Sequence, residues 1–119
     1  MKVLYVEDNA INRLVMTKLM AAKAEIIAVE DGPKAVNLAI EDFFDLILID
    51  LNLNDPSMDG FDVLRELKKM EKFSNSKFYA VTAYHGDDWE KRCLESGFDH
   101  FFSKPVDTDT ILETYLQSV

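Results

Sequence analysis

Short apolar runs alternate with longer segments of helical periodicity along this chain, and this alternation limits the folds that it can adopt. The runs cover residues 2–6, 25–29, 45–49, 77–81 and 100–103. Between them, apolar residues recur every three or four positions, as on one face of a helix. Strands separated by helices form a parallel sheet with helices on both faces. We therefore predict a doubly wound α/β fold with five parallel strands in the order 2-1-3-4-5 and five helices.

Capping residues and apolar faces locate the helices between these runs. Asn9 is a predicted N-cap, Pro33 stands near a first helical position, and Gly97 is a predicted C-cap. The faces are marked by Ile11, Leu14, Val15 and Leu19; by Val36, Ala39 and Ile40; by Phe61, Leu64, Leu67 and Met70; by Trp89, Cys93 and Leu94; and by Ile111, Leu112, Tyr115 and Leu116. We expect the last of these faces to pack on the core.

Four of the five runs end at polar side chains that suit phosphate or metal chemistry. They are Glu7 and Asp8 after the first run, Asp50 after the third, Thr82 after the fourth and Lys104 after the fifth. Because parallel strands present their carboxyl ends at one edge, where open α/β sheets bind ligands, we expect these side chains to converge. Taken singly, each has an ordinary structural explanation, such as capping or solvation. Five together at four strand ends indicate a functional site.

The residues of the predicted site are suited to binding a divalent cation and to reacting with a phosphoryl group. Two carboxylates about 4 Å apart repel each other by roughly 4 kcal/mol at an effective dielectric constant near 20. Mg²⁺ suits such a cluster because it takes hard oxygen ligands and keeps positions for phosphate oxygens. A carboxylate such as Asp50 can attack phosphorus to form an aspartyl phosphate. Lys104, the Thr82 hydroxyl and Mg²⁺ would then meet the charge on the phosphoryl oxygens.

Composition excludes several other classes of protein. The 119 residues suffice for one domain, and 13 basic against 22 acidic residues give a formal charge of -9. That charge argues against direct nucleic-acid binding and against an anionic membrane surface. The single cysteine, Cys93, excludes an internal disulfide and a cysteine metal cluster. Because no apolar stretch approaches the ~20 residues of a membrane span, we expect one cytoplasmic domain over residues 1–119, without a signal peptide.

The residues at these strand ends resemble those of response-regulator receiver domains of two-component signalling. The resemblance spans nearly the whole chain and rests on VEDN at 6–9, DLILID at 45–50, MDG at 58–60, VTA at 81–83 and SKP at 103–105. Within the family, the chain looks most like receivers of hybrid histidine kinases and phosphorelays. The resemblance implies a flavodoxin-like fold. It also implies a phosphoprotein switch that catalyses only its own phosphorylation and dephosphorylation and is not an enzyme acting on an external metabolite.

The resemblance assigns roles around the predicted metal. It implies that Asp50 is the phosphoacceptor and that Glu7 and Asp8 form the acidic pair that holds Mg²⁺, with Asp8 the more direct ligand. It further implies that Asp50 and the backbone carbonyl of Asn52 contribute to the metal site. Mg²⁺ is the only cofactor that the resemblance implies.

The remaining roles concern the switch and its partners. By resemblance, Lys104 pairs with a phosphoryl oxygen, Thr82 and Phe101 move on phosphorylation, and the peptide bond before Pro105 is cis. The implied phosphodonor is a histidine kinase or a histidine phosphotransfer protein. An unknown downstream protein would bind the face formed by the fourth helix, the fifth strand and the fifth helix. The oligomeric state is open between a monomer and a dimer linked to phosphorylation.

One segment departs from the family pattern. Between Asp50 and Gly60 the chain is two residues longer than is common, and residues 54–57 are predicted to form a protruding turn. The extra residues follow Asn52, so we expect the metal ligand to be retained. The loop flanks the predicted site, so access by a partner and the lifetime of the phosphate depend on its geometry.

Two alternatives remain open at this point. A degenerate receiver would act as a docking module without phosphorylation, and only the longer loop favours it. A small Mg²⁺-dependent phosphohydrolase of the haloacid-dehalogenase type also uses a strand-end aspartate. That class expects a second acid two residues after the nucleophile, where this chain has Asn52. The sequence is equally compatible with a stand-alone domain and with a segment of a hybrid kinase.

Overall fold

A computed structural model describes residues 1–118 and contains the predicted parallel sheet. The strands are β1 (Lys2–Val6), β2 (Glu25–Val29), β3 (Leu46–Ile49), β4 (Lys77–Thr82) and β5 (His100–Ser103). The helices are α1 (Ala10–Met20), α2 (Gly32–Glu41), α3 (Gly60–Lys68), α4 (Asp87–Ser96) and α5 (Thr108–Ser118), with a 3₁₀ turn at Glu71–Phe73. The strand order β2-β1-β3-β4-β5 confirms the predicted topology.

The register of the sheet aligns the carboxyl ends of β1 and β3. Val6 pairs with Ile49 in the parallel ladder between these strands. The ladders continue one residue further, since the Glu7 N–H donates to the Val29 carbonyl and the Asp50 N–H donates to the Val6 carbonyl, at 2.9 and 3.0 Å. The backbone hydrogen bonds of the sheet therefore hold Glu7 and Asp50 side by side.

Two apolar cores cover the two faces of the sheet. The central strand β3, with the sequence LILI, is wholly buried and sends alternate side chains to opposite faces. Ile47 and Ile49 enter the core under α2, α3 and α4, whereas Leu46 and Leu48 enter the core under α1 and α5. This double burial explains why the central strand is a continuous apolar run and has no alternating polar residues.

The predicted helix boundaries are confirmed where capping residues mark them. The Asn9 side chain accepts a 2.9 Å hydrogen bond from the Asn12 N–H at the start of α1. Gly97 ends α4 with φ of 113°, a left-handed conformation that glycine adopts without steric cost. Asp59 and Asp62 form a reciprocal capping box at the start of α3, which the sequence analysis did not identify.

The apolar faces of the first and last helices differ from a simple periodic prediction. In α1, Met16 and Met20 are buried on the sheet, whereas the face marked by Ile11, Leu14, Val15 and Leu19 is exposed. In α5, the prediction that Leu116 faces the core is wrong, because this side chain is 66% exposed. Periodicity identifies an apolar face, but packing against the sheet decides which side of the helix is covered. None of the helices in residues 1–118 has the length and apolar content needed to cross a membrane.

Gly60 lies where the chain after β3 turns back past the end of that strand. The close approach of the backbone there leaves no room for a side chain, and this can be tested by substitution. A Cβ atom there would lie 2.5 Å from the Asp50 carbonyl oxygen and 2.6 Å from the Leu51 Cα, which are backbone atoms. We expect Gly60→Ala to lower the free energy of unfolding in urea by about 1–3 kcal/mol. Gly32→Ala is the matched control, because its Cβ would meet side-chain atoms of Met58 and Val63 and no backbone atom is among its three nearest neighbours. An equal loss in the control would contradict this explanation.

Candidate functional site

An open polar pocket of about 470 Å³ lies at the carboxyl edge of the sheet. Its lining includes Glu7, Asp8, Asp50, Asn52, Asn54 and Lys104. The lining residues come from the ends of β1, β3 and β5 and from the loop after β3, so the sheet topology brings them together. The convergence predicted for Glu7, Asp8, Asp50 and Lys104 is therefore present.

Three carboxylates form the acidic side of the pocket. Oxygens of Glu7, Asp8 and Asp50 lie within 4.8 Å of one another. Glu7 and Asp50 are buried and Asp8 is half-buried. Among residues 1–118, nothing donates a hydrogen bond to the buried Oε2 of Glu7. A buried carboxylate oxygen without a partner is costly, and a hard divalent cation supplies what it lacks. The residues present therefore fit Mg²⁺.

Lys104 supplies the positive charge of the site. Its Nζ donates to Asp50 Oδ2 at 3.0 Å and also donates to Glu7 Oε1. Lys104 follows the edge strand β5, and its backbone N–H donates to the Thr82 carbonyl at 2.7 Å, next to the end of β4. The long side chain crosses the end of β4 to reach the acids. The Lys104–Pro105 peptide bond is cis, as the resemblance implied.

The two buried acids have displaced pKa values in opposite directions. Burial raises the pKa of Asp50 to about 6, and its hydrogen bond with Glu7 adds to the effect. Burial also acts to raise the pKa of Glu7, but hydrogen bonds with Asp50, Lys104 and Asn12 outweigh it and lower that pKa to about 2. Adjacent carboxylates resist simultaneous ionisation, so the pair releases its protons in separate steps.

Residues from the start of α1 hold Glu7 in place, and the sequence analysis gave them no role in the site. The Asn12 side-chain amide donates to Glu7 Oε1 at 2.9 Å, and the Arg13 guanidinium donates to the Glu7 carbonyl at 2.8 Å. The Tyr5 hydroxyl donates to the same Oε1 at 3.3 Å. Asn12 lies in the first turn of α1, three residues after the Asn9 cap. This place, in the first helical turn after the end of β1, was the sequence signal that could have predicted the contact of Asn12 with Glu7.

Thr82 and Phe101 lie beside the pocket rather than among its lining residues. Thr82 is buried at the end of β4, and its Oγ1 accepts a hydrogen bond from the Tyr84 N–H at 3.3 Å. Ala83 takes its place in the lining of the pocket. Phe101 is half-buried against the core under α4 and borders a small cleft with Glu90 of α4. Thr82 thus lies at the edge of the site at the end of β4, and Phe101 lies between β5 and α4.

The loop after β3 is ordered by contacts within it and with the core. The Asn52 N–H donates to Asp50 Oδ1 at 3.0 Å, which orients the carboxylate. Leu53 is buried in the core. Asp55 Oδ1 accepts from the N–H and the hydroxyl of Ser57, at 2.8 and 2.6 Å, so the turn predicted at residues 54–57 is present. The role of the Asn52 carbonyl as a metal ligand stays a prediction.

Comparisons with known proteins agree with this geometry. A family model described as the response regulator receiver domain matches residues 3–116. The response regulator PleD of Caulobacter vibrioides is 36% identical over 119 residues, and the polar-differentiation response regulator DivK of Brucella ovis is 34% identical over 113 residues. The match covers 99% of this chain and 26% of PleD, and 94% of this chain and 90% of DivK. The chain thus spans about a quarter of PleD.

A solved structure adds information on metal binding in a similar protein. It is the receiver domain of a sensor histidine kinase from Pseudomonas aeruginosa, with a magnesium ion coordinated in its active-site cleft. It is 28% identical to this chain with a TM-score of 0.82, over 98% of this chain and 94% of that domain. A chemotaxis protein CheY4 of Vibrio cholerae is 25% identical with a TM-score of 0.84, over 99% and 98% of the two chains.

Removing the ammonium of Lys104 tests the electrostatics of the site. We expect Lys104→Met to lower the free energy of unfolding in EDTA at pH 8 by roughly 2 kcal/mol. This is less than the ~3–5 kcal/mol for breaking a fully buried pair, because the Lys104 side chain is 22% exposed. The loss should be smaller at pH 5, since Asp50, with its pKa near 6, then takes up a proton and the unpaired charge diminishes.

Lys23→Met is the matched control for this measurement. Lys23 pairs with Asp109 at the surface, where both side chains are more than half exposed. Exposed pairs of this kind contribute about 0–1 kcal/mol. A loss in Lys104→Met that is independent of pH, or no larger than that of the control, would contradict the assignment.

Proposed function

This chain belongs to the family of response regulator receiver domains, and from that premise we propose that it is a phosphorylation-controlled switch with Asp50 as the acceptor. The observation that carries the proposal is the position of Asp50 itself. Asp50 directly follows the central strand β3 and lines the pocket. Its Oδ2 lies 3.0 Å from Lys104 Nζ. An aspartate in this environment has a nucleophilic oxygen and a cation ready for the incoming phosphoryl group.

The proposed reaction is transfer of a phosphoryl group from a phosphohistidine to Asp50. An Asp50 oxygen forms a bond to phosphorus, the phosphorus–nitrogen bond of the donor breaks, and its electron pair returns to the imidazole. Lys104 stays within reach of the phosphoryl oxygens and stabilises their charge. Mg²⁺, held by Glu7, Asp8, Asp50 and the Asn52 carbonyl, would supply further charge neutralisation when bound.

The proposed output is a change at the face formed by α4, β5 and α5. In the present structure the Thr82 hydroxyl accepts a hydrogen bond from the Tyr84 N–H. When Asp50 is phosphorylated, this hydroxyl turns toward a phosphoryl oxygen and the hydrogen bond with Tyr84 breaks. Phe101 moves with it, because Thr82 ends β4 and Phe101 lies in the neighbouring strand β5, where it borders a cleft with α4. The phosphoryl group thereby shifts a pre-existing equilibrium between two conformations and changes which downstream protein binds.

The proposed donor is a histidine kinase or a histidine phosphotransfer protein in the cytoplasm. Similarity to hybrid signal transduction histidine kinase B of Dictyostelium discoideum and to the sensor protein GacS of Pseudomonas syringae supports this class. The exposed apolar face of α1, formed by Ile11, Leu14, Val15 and Leu19, is next to the pocket, because Asn12 of the same helix is one of the residues that line the pocket. We propose that the donor contacts this face while its phosphohistidine reaches Asp50.

The first test is intact-protein mass after incubation with acetyl phosphate. We expect one phosphoryl addition that requires Mg²⁺, is absent in EDTA and is absent in Asp50→Asn, because the amide lacks the nucleophilic carboxylate oxygen. Asp55→Asn is the matched control, since this acid lies in the adjacent loop and should leave the addition intact. A wild-type chain that gains no phosphoryl group and binds no Mg²⁺ would instead indicate a docking module that works without phosphorylation.

The single tryptophan offers a test of the proposed conformational change. Trp89 in α4 stacks on Tyr84 with ring centroids 4.3 Å apart and an interplanar angle of 11°. Release of the Tyr84 N–H by Thr82 should disturb this stack, so we expect Trp89 fluorescence to change on addition of acetyl phosphate and Mg²⁺. The change should vanish in Asp50→Asn and weaken in Thr82→Ala. Unchanged emission from a chain that mass measurement shows to be phosphorylated would rule out this coupling.

A further inference from the structure

The loop after β3 places Asn54 in the lining of the pocket. Asn54 is exposed and lines the pocket together with Asp50 and Lys104. The buried side chain of Leu53 anchors the loop just before Asn54, and the hydrogen bonds that Asp55 accepts from Ser57 order the turn just after it. Asn54 therefore has a defined position at the rim, although its carboxamide faces solvent.

The other asparagines on the side of α1 already have partners. Asn9 accepts from the Asn12 N–H, and the Asn12 amide donates to Glu7. Ala83, which lines the pocket from the end of β4, has no polar side chain. The other carboxamides of the lining belong to Asn52 and Asn54 in the loop after β3, and both residues are exposed. Asn52 is already engaged at the acceptor and the predicted metal site, because its N–H donates to Asp50 Oδ1 and its carbonyl is the predicted ligand. Asn54 is thus the residue whose carboxamide is left to hold a water molecule.

The geometry of hydrolysis gives that position a function. In-line displacement at phosphorus requires the attacking and leaving oxygens to lie roughly opposite each other. The leaving oxygen belongs to Asp50, which is buried at the floor of the pocket beside Lys104. Water must then approach phosphorus from the open mouth. A carboxamide oxygen at the mouth accepts a hydrogen bond from that water without repelling the anionic phosphoryl group, as a carboxylate would.

We propose that Asn54 is a positioning residue for the water that hydrolyses phosphorylated Asp50, and that this loop sets the lifetime of the phosphorylated state. The inference rests on the proposed function. In the step, the water oxygen forms a bond to phosphorus while the bond from phosphorus to the Asp50 oxygen breaks. The electron pair returns to the Asp50 carboxylate, the water proton passes to the phosphate or to solvent, and inorganic phosphate leaves.

The test measures the decay of phosphorylated protein separately from its formation. Wild type and variants are phosphorylated with acetyl phosphate and Mg²⁺, the donor is removed by desalting, and intact mass is followed over time. We expect Asn54→Ala to lengthen the half-life by roughly 2- to 12-fold, the rate equivalent of one ordinary hydrogen bond. The Mg²⁺ affinity should stay at the wild-type value, because Asn54 is not among the residues assigned to the metal.

Two further variants distinguish positioning from a general effect on structure. Asn54→Gln keeps a carboxamide and should recover part of the wild-type rate of hydrolysis. Asn75→Ala changes the same residue type in an exposed turn before β4, at the opposite edge of the sheet, and should have the wild-type half-life.

The possible results separate this inference from the proposed function. An unchanged or shorter half-life in Asn54→Ala overturns the inference, and so does an equal slowing of phosphorylation and hydrolysis. A longer half-life that Asn54→Gln does not shorten also overturns it, since the carboxamide would then have no role. A wild-type chain that accepts no phosphoryl group overturns the proposed function, and with it the inference, and the Asp50→Asn comparison detects that case first.

Discussion

The contact between Lys104 and two buried carboxylates is the interaction on which the rest of this site depends. The β1–β3 ladder forces Glu7 and Asp50 together at the end of the central strands, where both are buried. Their repulsion is offset by an ammonium that arrives from the far side of β4. Because this ion pair needs the order β1-β3-β4-β5, the topology of the sheet and the electrostatics of the pocket depend on each other.

The same arrangement makes the site responsive to one added group. In the proposed function, a phosphoryl group on Asp50 would change the charge that Lys104 faces and would offer new acceptors for the Thr82 hydroxyl. Thr82 is linked through the Tyr84 backbone to an aromatic stack on α4. The exposed surface of α4 and β5 is thereby connected to the pocket through a few short contacts, whereas the apolar cores on both faces of the sheet hold the strands in register.

Much of this structure could be predicted because it follows from local pattern. The alternation of apolar runs with segments of helical spacing specified the strands. A parallel strand that is buried on both faces needs apolar side chains at nearly every position, so it is recognisable as a continuous apolar run. The strand-end positions of Glu7, Asp8, Asp50 and Lys104 then specified the pocket, because all parallel strands end at one edge. Asn9 marked a helix start through its side-chain hydrogen bond and Gly97 marked a helix end through its backbone conformation, and both effects act within a few residues.

Features that depend on contacts distant in sequence could not be read from the pattern. The outward orientation of Leu14 and Leu116 depends on which side of each helix the sheet covers, and both sides of α1 carry apolar residues. The support of Glu7 by Asn12 and Arg13 depends on where α1 begins relative to the end of β1. The opposite displacement of the pKa values of Glu7 and Asp50 depends on burial and on the exact partners of each oxygen.

The sequence by itself therefore determined the fold class, the edge at which the site lies and the residue types that form it. These features follow from the periodicity of apolar residues and from the direction of the strands, and both can be recognised within short segments of the sequence. Only the tertiary structure decided how the charges pair, which apolar faces stay exposed and where the loop after β3 places Asn54. Those features are set by distances between side chains far apart in the chain, and such distances exist only after the sheet and helices have packed.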